Sequence, residues 1–217
     1  MSKSAQLLYR FRGIILGALA LALLAMPAEP FPWDLTNCSD KYRHVVAKWD
    51  VFALVLFFIG VALRIKTRQY IGNHTRGSVH QAETLVTWGP YALIRHPLYY
   101  SNMSIAIFFA FIHLGPSPIL IPFLFAIVLF EWALSRIEDK FLHEKFGEEW
   151  ESWAREVPAL NFGRNPFFGS GKEEARAKYF AKKPVRTVWQ SFCADCSTWV
   201  WLLFFNLLIV LTKIYLT

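Results

Sequence analysis

The sequence predicts an all-α fold, a polytopic membrane helix bundle of about five transmembrane helices, and three observations carry that prediction. The chain is 55% hydrophobic, with 20 Phe and 9 Trp in 217 residues, more apolar surface than one soluble core of this size needs. Its apolar residues gather into five stretches separated by polar connections. Lys and Arg are distributed unevenly among those connections, as they are around membrane spans.

The first stretch, Phe11 to Met26, follows Lys3 and Arg10 and includes Arg12 near its start. A secretory signal is an alternative reading there, because a basic start, a short apolar run and the small-residue region Ala25-Met26-Pro27-Ala28 also fit a cleaved leader. The second stretch runs from Val51 to Leu63 and the third from Leu98 to Leu114. Pro97 suits the start of the third helix, since a first-turn residue has no amide bond to lose. The turn Gly115-Pro116-Ser117-Pro118 then reverses the chain into the fourth stretch, Ile119 to Leu134. Leu134, Ile137, Phe141 and Leu142 recur at helical spacing, so this helix is expected to continue beyond the membrane until Gly147 ends or bends it. Trp199 to Leu211 is the fifth. Several stretches fall short of the ~20 residues that cross a bilayer untilted, and their flanks are expected to supply the missing turns.

Basic residues near short loops stay on the cytosolic side. Lys3, Arg10 and Arg12 place the N-terminus inside, and Lys41, Arg43 and Lys48 mark a weakly charged outer loop. Arg64, Lys66, Arg68, Arg76 and Arg95 then return the chain inside, as does the basic stretch from Arg136 to Arg186. The net charge of +7 follows from this bias, with anionic lipid attraction as a second reading. Glu residues interleave with the basic ones from Glu138 to Glu156 and no nucleic-acid module is present, which argues against nucleic acid as a partner.

The chemistry-bearing residues fall in the middle. Gly89-Pro90-Tyr91 leads to Arg95-His96-Pro97-Leu98-Tyr99 at a helix start, where orphan amides and the dipole favour an anion and an Arg fork grips carboxylate or phosphate. Interfacial anchoring of Arg95 and His96 is the plainer reading. Gly72 to His80 is a turn-rich loop with Asn73-His74-Thr75-Arg76, and Glu138 with Asp139 stands on the extended fourth helix. Carboxylates near an Arg and a His make an organised polar site, although a solvated helix face explains a single Glu equally well. Cys193-Ala194-Asp195-Cys196 has redox spacing without strand context or a second ligand pair, so interfacial packing is expected and no metal. Gly169-Ser170-Gly171-Lys172-Glu173 lacks the earlier glycine and the final Ser or Thr of a phosphate loop.

Together these motifs resemble the isoprenylcysteine carboxyl methyltransferase and phospholipid methyltransferase superfamily of integral membrane enzymes. The resemblance rests on Asn73-His74-Thr75-Arg76-Gly77-Ser78 with His80, on Gly89-Pro90-Tyr91 and Arg95-His96-Pro97-x-Tyr99, and on Glu138-Asp139-x-x-Leu142 with Phe146-Gly147 and Val157-Pro158. It covers Gly72 to Asn161 and implies three regions: a membrane lead (1–71), a methyltransferase core (72–161), and a linker with a last membrane helix (162–217). It further implies S-adenosyl-L-methionine as cofactor, in a cytosolic pocket formed by loops and a C-terminal amphipathic helix. His80, Tyr91, His96, Pro97, Tyr99 and Glu138 are the implied cofactor contacts. Asp139 replaces the Glu usual at the second acidic position.

Methyl transfer to an anionic acceptor needs alignment and charge neutralisation more than a base, so Arg95, Arg136 and Glu138 are the expected catalytic residues, with Arg95 or Arg136 holding the acceptor. The acceptor is expected to be an amphiphilic lipid or lipidated substrate: a prenylcysteine carboxylate, a lipid phosphate or, with a base among Glu138, Asp139 and His96, a phospholipid amine. A membrane interaction protein that keeps the fold without the reaction is the alternative class. The expected topology puts the N-terminus and the site in the cytosol and the C-terminus outside.

Overall fold

The structure is a computed structural model that describes residues 3–28, 40–71, 83–159 and 172–215. The predicted Gly72–His80 loop, including His80, lies outside the described residues, as do Cys38 and Asn161. Every regular element described is helical: α1 (Lys3–Arg10), α2 (Arg12–Leu24), α3 (Asp40–Ile71), a 3₁₀ turn (Gly89–Ala92), α4 (Pro97–Leu114), α5 (Leu120–Phe146), α6 (Glu148–Glu156), α7 (Lys172–Phe180), α8 (Val188–Ala194) and α9 (Cys196–Tyr215).

Among the described residues, four helices are long and apolar enough to cross a membrane: α3 from His44, α4, α5 and α9. The first apolar stretch, expected as a fifth span, forms the 13-residue α2. At 1.5 Å per residue that is about 20 Å, short of a hydrocarbon core of about 30 Å. The predicted start of α4 at Pro97 holds, and α5 continues through Phe146 as its apolar spacing requires. Gly147 ends it with φ +52, a conformation that favours glycine, and α6 follows directly. α3 begins eleven residues before the apolar stretch at Val51, because amphipathic turns carrying the buried Val46 extend it.

The chain divides into two compact units. The first comprises Met1–Phe11, Ala62–Ser101 and Glu131–Ala194. Its core is small: Leu85, Tyr91, Trp153 and Val157, flanked by Ile71, Val86, Leu142, Phe146 and Trp150. The second comprises Arg12–Val61, Asn102–Phe130 and Asp195–Thr217. It is packed by Leu23, Ala53, Phe108, Phe109, Phe111 and Ile209 with their neighbours, and Trp49 stacks on Phe111 at 5.3 Å between centroids. The fully buried His113 donates from Nε2 to the Met26 carbonyl, 3.1 Å away. Helices with apolar residues on many faces suit a lipid surround, where van der Waals packing replaces hydrophobic sorting.

Candidate active site

All the site residues described belong to the first unit. The 3₁₀ turn is held by Leu93 and Ile94, whose amides both donate to the Pro90 carbonyl at 3.1 Å. Gly89 opens it with φ +62, and a Cβ there would stand 2.7 Å from the Tyr70 ring. Position 89 thus requires glycine for both conformation and space. On the other side, Trp153 Nε1 donates to the Tyr91 carbonyl at 3.1 Å. The Arg95 amide donates to the Pro158 carbonyl at 2.9 Å. The Gly-Pro-Tyr, Arg-His-Pro and Val-Pro segments therefore meet through the backbone. α4 then starts at Pro97, with the His96 carbonyl accepting from the Tyr100 amide at 3.2 Å.

Asp139 of α5 closes the site. Its Oδ2 accepts from Arg95 Nη2 at 3.0 Å, and its Oδ1 faces His96 Nε2 at 2.9 Å. Glu138 Oε2 lies 3.6 Å from His96 Nδ1, close enough for an ion pair though too far for a good hydrogen bond. Glu138 is also within hydrogen-bonding reach of the Tyr99 hydroxyl. The His96 and Tyr99 rings lie nearly parallel, 5.5 Å apart. The two acids differ in access: the Asp139 side chain is 6% exposed and that of Glu138 is 29%. Asp139 is sealed between two cationic groups, and Glu138 keeps an open edge.

Arg95 is largely committed to this framework. Besides Asp139, it donates from Nη1 to the Ala154 carbonyl at 3.2 Å, and its guanidinium lies over the Trp150 ring at 5.3 Å. Two donors remain: among the described residues, neither the buried Arg95 Nε nor the buried Trp150 Nε1 has a hydrogen-bond acceptor. Burial lowers the Arg95 pKa, Asp139 opposes that, and Arg136 adds to it. For His96, burial is the largest influence and pushes downward, but hydrogen bonding and charge from Asp139 and Glu138 together outweigh it and raise the imidazole. Both ring nitrogens face carboxylates, an arrangement that suits the doubly protonated ring. Burial raises the Tyr91 phenol well above its ordinary value, the Glu138 charge raises it further, and Arg68 opposes both.

Arg95, His96, Pro97, Tyr91, Tyr99 and Glu138 are thus gathered around one charged cluster, whereas Arg136 is exposed on α5, one turn before Asp139. Sequence reasoning gave Asp139 only the part of a candidate base and passed over Arg68, Trp150 and Trp153. The paired acids were the available signal for Asp139. Trp150 and Trp153, three apart on an amphipathic helix, were the signal for a packed face. Arg68 stood in a basic run and only its burial, at 7% exposure, sets it apart.

The family model for phospholipid methyltransferases matches residues 49–149. That match begins before Gly72 and takes in most of α3, and it ends short of Asn161. It contains both Arg95-His96 and Glu138-Asp139. Among curated proteins, the cobalt-zinc-cadmium resistance protein CzcN of Cupriavidus metallidurans is 28% identical over 152 residues, 66% of this chain and 67% of its own length. No solved structure matches the chain.

Proposed function

Because residues 49–149 belong to the phospholipid methyltransferase family, a branch of the superfamily that includes the isoprenylcysteine carboxyl methyltransferases, we propose that this membrane methyltransferase moves a methyl group from S-adenosyl-L-methionine to an anionic oxygen of a lipid or lipidated acceptor. The observation that supports this reading is the closed Arg95–Asp139–His96 arrangement with Glu138 at its open edge. It joins two segments separated by more than forty residues into one polar centre.

The residues present fit the cofactor. Glu138, paired with His96 and still partly exposed, can accept from an ammonium group or a ribose hydroxyl. The orphan donors Arg95 Nε and Trp150 Nε1 suit a carboxylate. Tyr91 and Tyr99 offer aromatic faces to an adenine or a sulfonium. When bound, the cofactor supplies a methyl group on a positively charged sulfur, and an acceptor oxygen gains that methyl as the sulfur leaves as a neutral thioether.

Asp139 and Arg95 hold the imidazole of His96 in place. Their mutual commitment makes Arg95 a positioning group with one buried donor, Nε, to spare, and leaves Arg136 as the exposed cation to hold the acceptor's charge. His96 engages both carboxylates through its two ring nitrogens. An acceptor that arrives already deprotonated, a carboxylate or a phosphate, therefore suits this centre better than an ammonium. A phospholipid amine is the second reading, favoured by the family's description, with Glu138 as the base. Residue placement and the basic cytosolic loops support a site open to the cytosol and an acceptor drawn from the bilayer.

The test is to incubate membranes containing the protein with methyl-labelled cofactor and identify the labelled lipid. Label on a carboxylate or phosphate ester supports the proposal, and label on a head-group amine replaces it with the second reading. Folded protein in detergent that neither binds S-adenosylhomocysteine nor transfers label belongs to the non-enzymatic class.

A further inference from the structure

The segment from Phe180 to Phe192 is built inside out for a protein in water. Helix α8 carries its own start signal: Thr187 Oγ1 accepts from the Gln190 amide at 3.2 Å while Gln190 Oε1 accepts from the Thr187 amide at 3.0 Å, a reciprocal cap. The helix so fixed buries its serine and exposes its aromatics. Ser191 is fully buried and its hydroxyl donates to the Thr187 carbonyl at 2.9 Å. Trp189 is 71% exposed, Val188 60% and Phe192 38%, and the Trp189 and Phe192 rings stack at 5.8 Å. Phe180 and Val185 just before it are each 69% exposed.

The charges within this segment have one sign. From Ala175 to Ala194 the chain has no Asp or Glu, and it contains Arg176, Lys178, Lys182, Lys183 and Arg186. Lys178 is paired with Glu156 and Lys182 lies over the Trp88 ring at 3.7 Å, while Lys183 is exposed beside the apolar residues. The segment is also anchored. The amides of Val185 and Arg186 donate to the Gln69 carbonyl at 2.9 and 3.2 Å, so it is tied to the unit that carries the active site. A single residue, Asp195, separates the end of α8 from the candidate membrane span α9. Chain connectivity alone then keeps the last residue of α8 within about 8 Å of the first residue of α9.

We propose that residues 180–192 form an interfacial shelf that lies on the bilayer surface and binds anionic lipid headgroups. Trp189, Phe192, Val185 and Val188 enter the headgroup and acyl boundary, and Lys183 meets the phosphates. Stacked aromatics with basic neighbours and no acids are the composition of a helix that lies in the interface rather than across it. Continuity with α9 and the basic residues of the segment itself select an anionic leaflet over a protein partner.

The full chain, with Cys38, Cys193 and Cys196 replaced by Ser, is given a nitroxide label at Trp189→Cys, Phe192→Cys or Lys183→Cys. It is reconstituted in vesicles of phosphatidylcholine with or without phosphatidylglycerol. Labels at 189 and 192 are expected to meet dissolved oxygen and escape a water-soluble nickel chelate, with the reverse at 183. Lys183→Gln should move the seated shelf toward the nickel-accessible state about fivefold, as should omission of phosphatidylglycerol. Two label sites guard against one substitution disturbing the fold. Nickel access at 189 and 192 in both vesicle types overturns the proposal. Protection from both reagents also overturns it, by showing that protein covers the face. Oxygen access indifferent to lipid charge and to Lys183→Gln overturns the assignment to anionic lipid.

Discussion

Arg95 and Asp139, 44 residues apart in the chain, form an ion pair of 3.0 Å whose side chains are 10% and 6% exposed. In such surroundings neither charge tolerates the loss of the other, because a lone buried charge has neither water nor a partner. The pair therefore sets the shape of the site before any ligand arrives.

Asp139→Asn keeps the shape and removes the charge. The guanidinium is left without its carboxylate, and the protein should lose about 3–5 kcal/mol of stability. Thermal unfolding in detergent checks this. An unfolding midpoint equal to that of the parent protein would show that water reaches Arg95 and that the closed arrangement is not the resting state.

Arg95→Lys retains a positive charge but cannot serve the Asp139 carboxylate and the Ala154 carbonyl together. Since the residue positions His96 in our reading, affinity for S-adenosylhomocysteine and turnover should both decline. A titration with a single-turnover assay separates the cases: normal binding with slowed transfer would return Arg95 to the acceptor.

Glu138→Gln tests the open edge. Binding of S-adenosylhomocysteine should weaken by about 1.5–3 kcal/mol, the worth of a charged hydrogen bond, with little change in thermal stability because this carboxylate is the more exposed of the two. Unchanged affinity in a calorimetric titration removes Glu138 from the cofactor contacts.

The raised His96 pKa predicts a pH dependence of definite sign. A group whose pKa is higher folded than unfolded stabilises fully below the unfolded value, about 6.5, and loses that contribution as pH rises through the folded value. Unfolding midpoints should accordingly fall from pH 6.5 toward alkaline pH, and the slope should disappear in His96→Gln. An identical slope in that variant would assign the effect elsewhere.

Gly89→Ala should destabilise by more than about 1 kcal/mol, combining a positive φ with a Cβ driven against the Tyr70 ring. Gly147→Ala offers the control: its φ is also positive, but a Cβ there meets open space. Equal losses at the two positions would show that conformation, not the approach of Tyr70, accounts for both.

The start of α4 and the length of α5 were legible because each rests on a local signal, a first-turn proline and an unbroken apolar spacing. The start of α3 was not, since Lys41, Arg43 and Lys48 interrupt the hydropathy that a membrane reading follows. The Arg95–His96 corner and its acids were visible as residue types, whereas the division of labour between Glu138 and Asp139 comes from burial, which depends on how α5 faces the 3₁₀ turn. α8 was not legible although Thr187-x-x-Gln190 spells its cap, because seven residues are too few to show an apolar period.

Gln69, near the end of α3, has a carbonyl that the helix itself cannot use, and it is the amides of Val185 and Arg186 that complete it. During synthesis those two residues are added 116 and 117 positions later. At about 5–20 residues per second the carbonyl waits on the order of ten seconds for them. The nascent chain has by then produced every motif of the active site, yet the unit that holds them lacks its last strap. A chain that ends before Val185 therefore carries every residue of the candidate site but lacks the two amides that complete the Gln69 carbonyl.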